Sequence, residues 1–177
     1  GGKLIIGDDI IVNGSPTNVS VAGGQGHSIG GTYNTIGGGE QNQIALTTRS
    51  RSFIGGGNLN VIQGNTSFIG GGAANFSDGN TYNTIGGGSS NCLTCGGYQF
   101  VGGGLCNHSK GDYSFVGGGR NNMICDVTSG NTSVIVGGLS SRVFGSYSAT
   151  VGGRCNSVNG EYAFIGGGEN NQAEKDY

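Results

Sequence analysis

The sequence predicts an all-β chain folded as a parallel β-roll, or β-solenoid, of about ten coils, and three observations carry that expectation. A short apolar phrase running into glycines recurs ten times in 177 residues, Ile or Val almost always precedes the glycines, and an asparagine follows at a nearly fixed distance. The glycine runs open at Gly23, Gly37, Gly55, Gly70, Gly86, Gly102, Gly117, Gly137, Gly152 and Gly166, spaced 14, 18, 15, 16, 16, 15, 20, 15 and 14 residues apart. The unit is therefore about 15 residues long with a few insertions, and such a period marks a stack of repeats.

Taken in order, residues 1–19 precede the repeats and 20–177 carry them. Lys3-Leu4-Ile5-Ile6 and Ile10-Ile11-Val12 read as strands leading into the stack, separated by Gly7-Asp8-Asp9 and closed by the turn Asn13-Gly14-Ser15-Pro16. Asp8 and Asp9 are adjacent carboxylates, but on extended backbone they point to opposite faces, so they read as turn residues and not as an acid/base pair.

Within each unit the residue before the first glycine is Ile36, Ile54, Ile69, Ile85, Val101, Val116, Val136, Val151 or Ile165, with Ala22 in the first copy. β-Branched residues stiffen a pleated backbone, so these are expected to form an interior ladder. One step earlier stand Val21, Thr35, Phe53, Phe68, Thr84, Phe100, Phe115, Ile135, Thr150 and Phe164. Because neighbours on a strand face opposite ways, the strand offers burial on both sides, and one cover is expected from another chain.

The glycines, Gly37, Gly55, Gly70, Gly86, Gly102, Gly117, Gly137, Gly152 and Gly166 among them, mark turns that need positive φ or close approach of the next coil. Five residues on come Asn42, Asn60, Asn75, Asn91, Asn107, Asn122 and Asn171, with Asn156 one place early in its copy. Side-chain amides stacked in register can bond one to the next, and Asn also tolerates left-handed turns; either role is preferred to ligand binding. An apolar residue two further on (Ile44, Ile62, Leu93, Ile124, Val143, Val158) starts a second short strand, which a second glycine turn closes.

Such a unit cannot bury its apolar face alone, but stacked at about 4.8 Å it can. Two copies carry insertions, around Arg49 and Arg51 and around Asp126 and Thr128. Insertions in a solenoid map to loops on one face, so these four residues are the candidate binding loops. Tyrosines at 33, 82, 98, 113, 147 and 162 recur shortly before the glycines. They read as an amphipathic stripe on the strand face of the Phe and Thr series, either packing against a neighbouring subunit or forming a carbohydrate platform.

Composition excludes several classes. Forty-two glycines with one proline and no strict triplet are not collagen, and a net charge of −2 with 10% charged residues gives no nucleic-acid footprint. No apolar run is long enough to span a membrane, so no membrane contact is expected. Cys92, Cys95, Cys106, Cys125 and Cys155 are compatible with an oxidising compartment and are expected as a local disulfide or as thiols. Cys92-Leu93-Thr94-Cys95 has no second half of a zinc motif. His27 and His108 lie in different copies at turn positions, no catalytic or phosphate-binding motif accompanies them, and no cofactor is expected. Asn75 and Asn107 also head glycosylation sequons. The final Glu174-Lys175-Asp176-Tyr177 parallels the segment ahead of Ser114-Phe115-Val116, so the chain is expected to be a window on a longer array.

Asn83-Thr84-Ile85-Gly86, Ser114-Phe115-Val116-Gly117, Ser148-Ala149-Thr150-Val151-Gly152 and Asn156-Ser157-Val158-Asn159-Gly160 resemble the head repeats of YadA-like trimeric autotransporter adhesins. They also resemble the repeats of phage and virus fibres that end in an endosialidase-type chaperone domain. The resemblance covers roughly residues 20–177, although the family unit is shorter, has fewer glycines and seldom contains cysteine. It implies a left-handed roll in a homotrimer, exposed on a cell or virion. The function it implies is structural and non-enzymatic: a rod segment holding a distal binding end away from the surface. The alternative is an adhesin head that binds host glycan or matrix through its flank loops, with a host-surface glycan or protein as receptor. A tail-spike glycan hydrolase is less expected, because the acids, such as Asp112, Glu161 and Glu169, are scattered over turns where a paired site needs them together.

Overall fold

The computed structural model describes residues 2–15, 17–45, 50–78, 81–125 and 132–174, and in these the chain forms 22 short strands and no helix. Successive strands alternate between two parallel sheets of 11 strands each. The first sheet runs from Lys3–Ile5 and Val19–Val21 to Phe164–Ile165, and the second from Ile11–Val12 and Ser28–Ile29 to Gln172–Ala173. Every pairing joins equivalent strands of neighbouring rungs, as Phe53 and Ile54 pair with Phe68 and Ile69. The result is a β-solenoid of eleven rungs, about 50 Å long at the sheet spacing. The extra rung comes from the N-terminal segment: Lys3, Leu4 and Ile5 pair with Val19, Ser20 and Val21, Ile11 and Val12 pair with Ser28 and Ile29, and Asp8 bridges to Gln25.

Two aliphatic columns fill the interior. From the first sheet come Val21, Ile36, Ile54, Ile69, Ile85, Val101, Val116 and Ile135, and from the second Ile29, Ile44, Ile62, Leu93, Ile124, Val143 and Val158, all fully buried. Each contributes about 1.5–3 kcal/mol by leaving water. The strands stay short because the turns have no room for side chains. Gly57 has φ +89°, and a Cβ added to it would fall on the carbonyl oxygen of Gly72 in the next rung.

The first glycine of each run serves a different purpose. A Cβ on Gly55 would strike the Gly70 carbonyl, and it would also lie 3.4 Å from the ring of Phe53. The same ring contact recurs at Gly70 with Phe68, Gly102 with Phe100 and Gly117 with Phe115. The Phe side chain thus folds flat over the backbone two residues later, into space that glycine leaves open.

That arrangement corrects the ladder expected from the sequence. Val136 and Val151 do not belong to the interior column: they are 47% and 42% exposed, whereas Ile135 and Thr150 are fully buried. Val116 pairs with Ile135, and Ile135 with Thr150. Val136 and Val151 therefore stand where the other copies have their first glycine, so Gly137 and Gly152 are second glycines. In the first copy Val21, not Ala22, pairs with Ile36. Counted from this position the irregular spacings of 14, 20 and 14 become 15, 19 and 15. Asn156 then falls five residues after Val151, in step with the other asparagines. Where Val replaces glycine, Phe is absent two residues earlier and Val134 or Ala149 stands there instead.

The tyrosines are also displaced from their expected place. Tyr33, Tyr82, Tyr98, Tyr113, Tyr147 and Tyr162 have φ between 52° and 63°. They sit in the turn ahead of the first-sheet strand and not on the strand itself. Ring stacking along the rod offsets the left-handed backbone: Tyr82 and Tyr98 have centroids 5.0 Å apart, Tyr98 and Tyr113 4.9 Å, and Tyr147 and Tyr162 5.2 Å.

Candidate functional site

The asparagine column runs through the interior as a hydrogen-bonded ladder. Asn42, Asn60, Asn75, Asn91, Asn107 and Asn122 are fully buried. The Asn75 amide nitrogen donates to the Gly71 carbonyl in its own turn at 2.9 Å, to the Gly88 carbonyl in the next at 3.0 Å, and to Asn60 Oδ1 at 3.1 Å. Its own Oδ1 accepts from the Asn91 backbone N–H at 3.0 Å. Each amide thus fastens the glycine turns of two rungs. Asn171 accepts its place at the exposed end, donating its backbone N–H to Asn156 Oδ1 at 3.0 Å. The sequons at Asn75 and Asn107 fall in this buried column and present no accessible amide.

Two non-asparagine members complete the column. His27, fully buried, accepts the Asn42 backbone N–H at Nδ1 (3.1 Å), so its Nε2 carries the hydrogen and donates it to the Gly23 carbonyl (3.0 Å). Ser141 is the other; it receives nothing at its Oγ, which is buried without a hydrogen-bond partner.

A second inner polar column, formed by Asn34, Ser52, Ser67, Asn83, Gln99, Ser114, Ser133 and Ser148, escaped the sequence reading. Asn34 Oδ1 accepts from Ser52 N at 2.8 Å, and Asn83 Oδ1 from Gln99 N at 3.0 Å. Its signal was present: each residue stands two before an inward Ile, Val or Thr, on the same strand face.

The surface holds one concavity that matches an expected site. A cleft of about 460 Å³ is lined by Thr17, Thr32, Tyr33, Ser50, Arg51 and Thr66. Arg51, one of the four candidate loop residues, occupies the tyrosine position of its rung, and its guanidinium carbon lies 5.9 Å from the centre of the Tyr33 ring. Thr66 takes the same position one rung on. The tyrosine column is therefore interrupted between Tyr33 and Tyr82, and the missing rings leave the hollow. Backbone bonds hold its floor: Tyr33 N–H donates to the Thr17 carbonyl at 3.1 Å and Ser50 N–H to the Thr32 carbonyl at 3.3 Å. Arg49, Asp126 and Thr128, the other three candidates, lie outside the described residues.

The remaining reactive side chains are dispersed. All five cysteines are thiols; Cys95, Cys106 and Cys155 are exposed, Cys92 and Cys125 half-buried. Burial pushes the Cys92 thiol above its ordinary value, with Lys110 pulling the other way. The neighbouring His108 imidazole is held below its usual range by burial and then by Lys110, and its Nε2 lies 3.0 Å from Thr94 Oγ1. Glu169 pairs with Arg154 at 3.3 Å on the surface, and Asp112 accepts the Gly97 N–H at 2.7 Å. Among the described residues no three His, Cys, Asp or Glu side chains come together as a metal site.

Comparison of the chain with protein-family models and with curated proteins gives no match.

Proposed function

We propose that the chain is a structural, non-enzymatic rod segment of a fibre on a cell surface or virion, assembled as a homotrimer, that holds a distal binding end away from the surface. The observation that supports this most directly is the rung-to-rung continuity of the stack. Aliphatic columns, with Ser77, Ser109 and Thr150 among their members, and an asparagine column, with His27 and Ser141 among its members, run along it, and each rung is bonded to its neighbours, which is the construction of an inextensible post. The outer face of the first sheet supports association. Phe53, Phe68, Phe100 and Phe115 are 37% to 41% exposed and Phe164 is 65% exposed, and they lie as flat rings along one side. The pairs Phe53 with Phe68 and Phe100 with Phe115 stack at 5.5 and 5.3 Å. An apolar stripe of this length is normally covered by a partner, and a second copy carries the matching stripe. The resemblance of the repeats to trimeric fibre heads agrees with this reading.

Multi-angle light scattering tests the assembly, with three times the chain mass expected; a monomer at micromolar concentration would overturn it. Antibodies against the chain should label intact cells or virions of the source without permeabilisation. Labelling only after permeabilisation would overturn the surface location.

A further inference from the structure

We propose that the cleft at Tyr33 and Arg51 is a binding site for a sugar residue that carries a carboxylate. Its walls combine the accessible hydroxyls of Thr17, Thr32 and Thr66 with one aromatic ring and one cation, over a floor that includes Ser50, whose buried hydroxyl is bonded to Asn34. Thr17 and Thr32 are bridged partners on successive rungs, and Thr66 lies two rungs beyond Thr32 in the tyrosine column. Three rung steps of about 4.8 Å give the hollow a length of about 14 Å. The three threonine hydroxyls spread along that length suit a polyhydroxylated ligand, which exchanges hydrogen bonds with them as water does. Tyr33 is half exposed and its ring lies beside the Arg51 guanidinium, so aromatic and cationic surface stand together at the wall of the hollow.

Arg51 fixes the charge of the ligand. Among the described residues no carboxylate pairs with it, and its guanidinium presents a planar fork that meets a carboxylate through two parallel N–H donors. Two other ligand classes fit less well. Nucleic acid is held by many phosphate contacts, but among the described residues the cleft is lined by a single cation, on a chain of net charge −2. A compact apolar ligand needs walls that are mainly hydrophobic, and among the described lining residues only the tyrosine is apolar. The volume, about 460 Å³, lies within the range of small-molecule sites. The cleft sits on the turn column and not on the Phe stripe, so its test is separate from that of the assembly.

The test is titration of the intact chain by NMR or calorimetry. The probes are hexuronate- and sialate-bearing oligosaccharides, their neutral parents and their sulfated counterparts. Carboxylated probes are expected to bind, neutral parents about tenfold or more weaker, and added salt should weaken the interaction. Arg51→Gln should reduce affinity about tenfold or more, and Arg51→Lys should fall short of wild type because it keeps the charge and loses the fork. Tyr33→Asn, which tolerates the φ of 63°, should weaken binding by removing the ring. Melting curves of the three variants should overlay the wild type, since these side chains are exposed. Absence of binding by every carboxylated probe, equal binding of neutral or sulfated probes, or affinity unchanged in Arg51→Gln would each overturn the assignment.

Discussion

Opposite substitutions in the asparagine column should move stability in opposite directions. At Ser141 the ladder lacks its amide, and the hydroxyl is buried without a partner. Ser141→Asn would place a side-chain amide four residues after Gly137 and beside the Gly153 turn of the next rung, as Asn60 stands to Gly56 at 3.0 Å and to Gly72 at 2.9 Å. Two added donor bonds at about 1 kcal/mol each, and relief of one orphaned hydroxyl, outweigh roughly 1 kcal/mol of side-chain ordering. A gain of about 1–2 kcal/mol is expected, or about 2–8 °C in Tm. Asn75→Ser is the converse. It removes the bonds to the Gly71 and Gly88 carbonyls and strands the Asn91 backbone N–H. The expected loss is about 2–4 kcal/mol. Thermal and urea unfolding followed by circular dichroism measure both. If Ser141→Asn fails to raise Tm, or Asn75→Ser unfolds like the wild type, the ladder is not what ties the rungs together.

Three further outcomes follow from the geometry. Gly72→Ala should cost more than about 2 kcal/mol in urea unfolding, because φ is +89° and the new methyl meets the Gly88 carbonyl, whereas Gly71→Ala, whose nearest atom would be 3.9 Å away, should cost under about 1 kcal/mol. Thr150→Val should stabilise by about 1–2 kcal/mol in the same assay, since the Thr150 hydroxyl is fully buried without a partner in the aliphatic column. The depressed His108 implies that the unfolded chain takes up its proton first. Its contribution to stability is therefore present above about pH 6.5 and lost as pH falls through the lower folded value. The urea midpoint should drop between pH 7.5 and pH 5 by less in His108→Asn than in the wild type, and an equal drop would refute the assignment.

Much of this architecture was legible because a solenoid repeats its instructions. The Ile and Val before Gly37 to Gly117, and the asparagines after them, mark these rungs in the same voice, so the two strands of each unit and the inner ladder could be read directly. The reading slipped where a rung kept its shape but changed its letters. Val136 and Val151 looked like ladder residues because glycines follow them. Only the pairing of Ile135 with Thr150 shows that glycine had been replaced and that Thr, an unusual core residue, points inward. The tyrosines were misplaced for a related reason: a bulky side chain at positive φ is costly, and stacking between rungs, which compensates it, is a relation between residues 15 or 16 apart. The cleft was half legible. Arg51 was singled out, but its partnership with Tyr33 depends on the two falling into one turn column.

The flat seat that glycine provides for the Phe rings of the first sheet also bears on how such a chain can change over time. A ring and its glycine travel together within one strand, two residues apart, and every amide bond of the ladder reaches only the adjoining turn. Excising or duplicating one whole unit would therefore leave each surviving neighbour with surroundings of the same kind. The length of the post is free to change in increments of about 4.8 Å, one rung at a time.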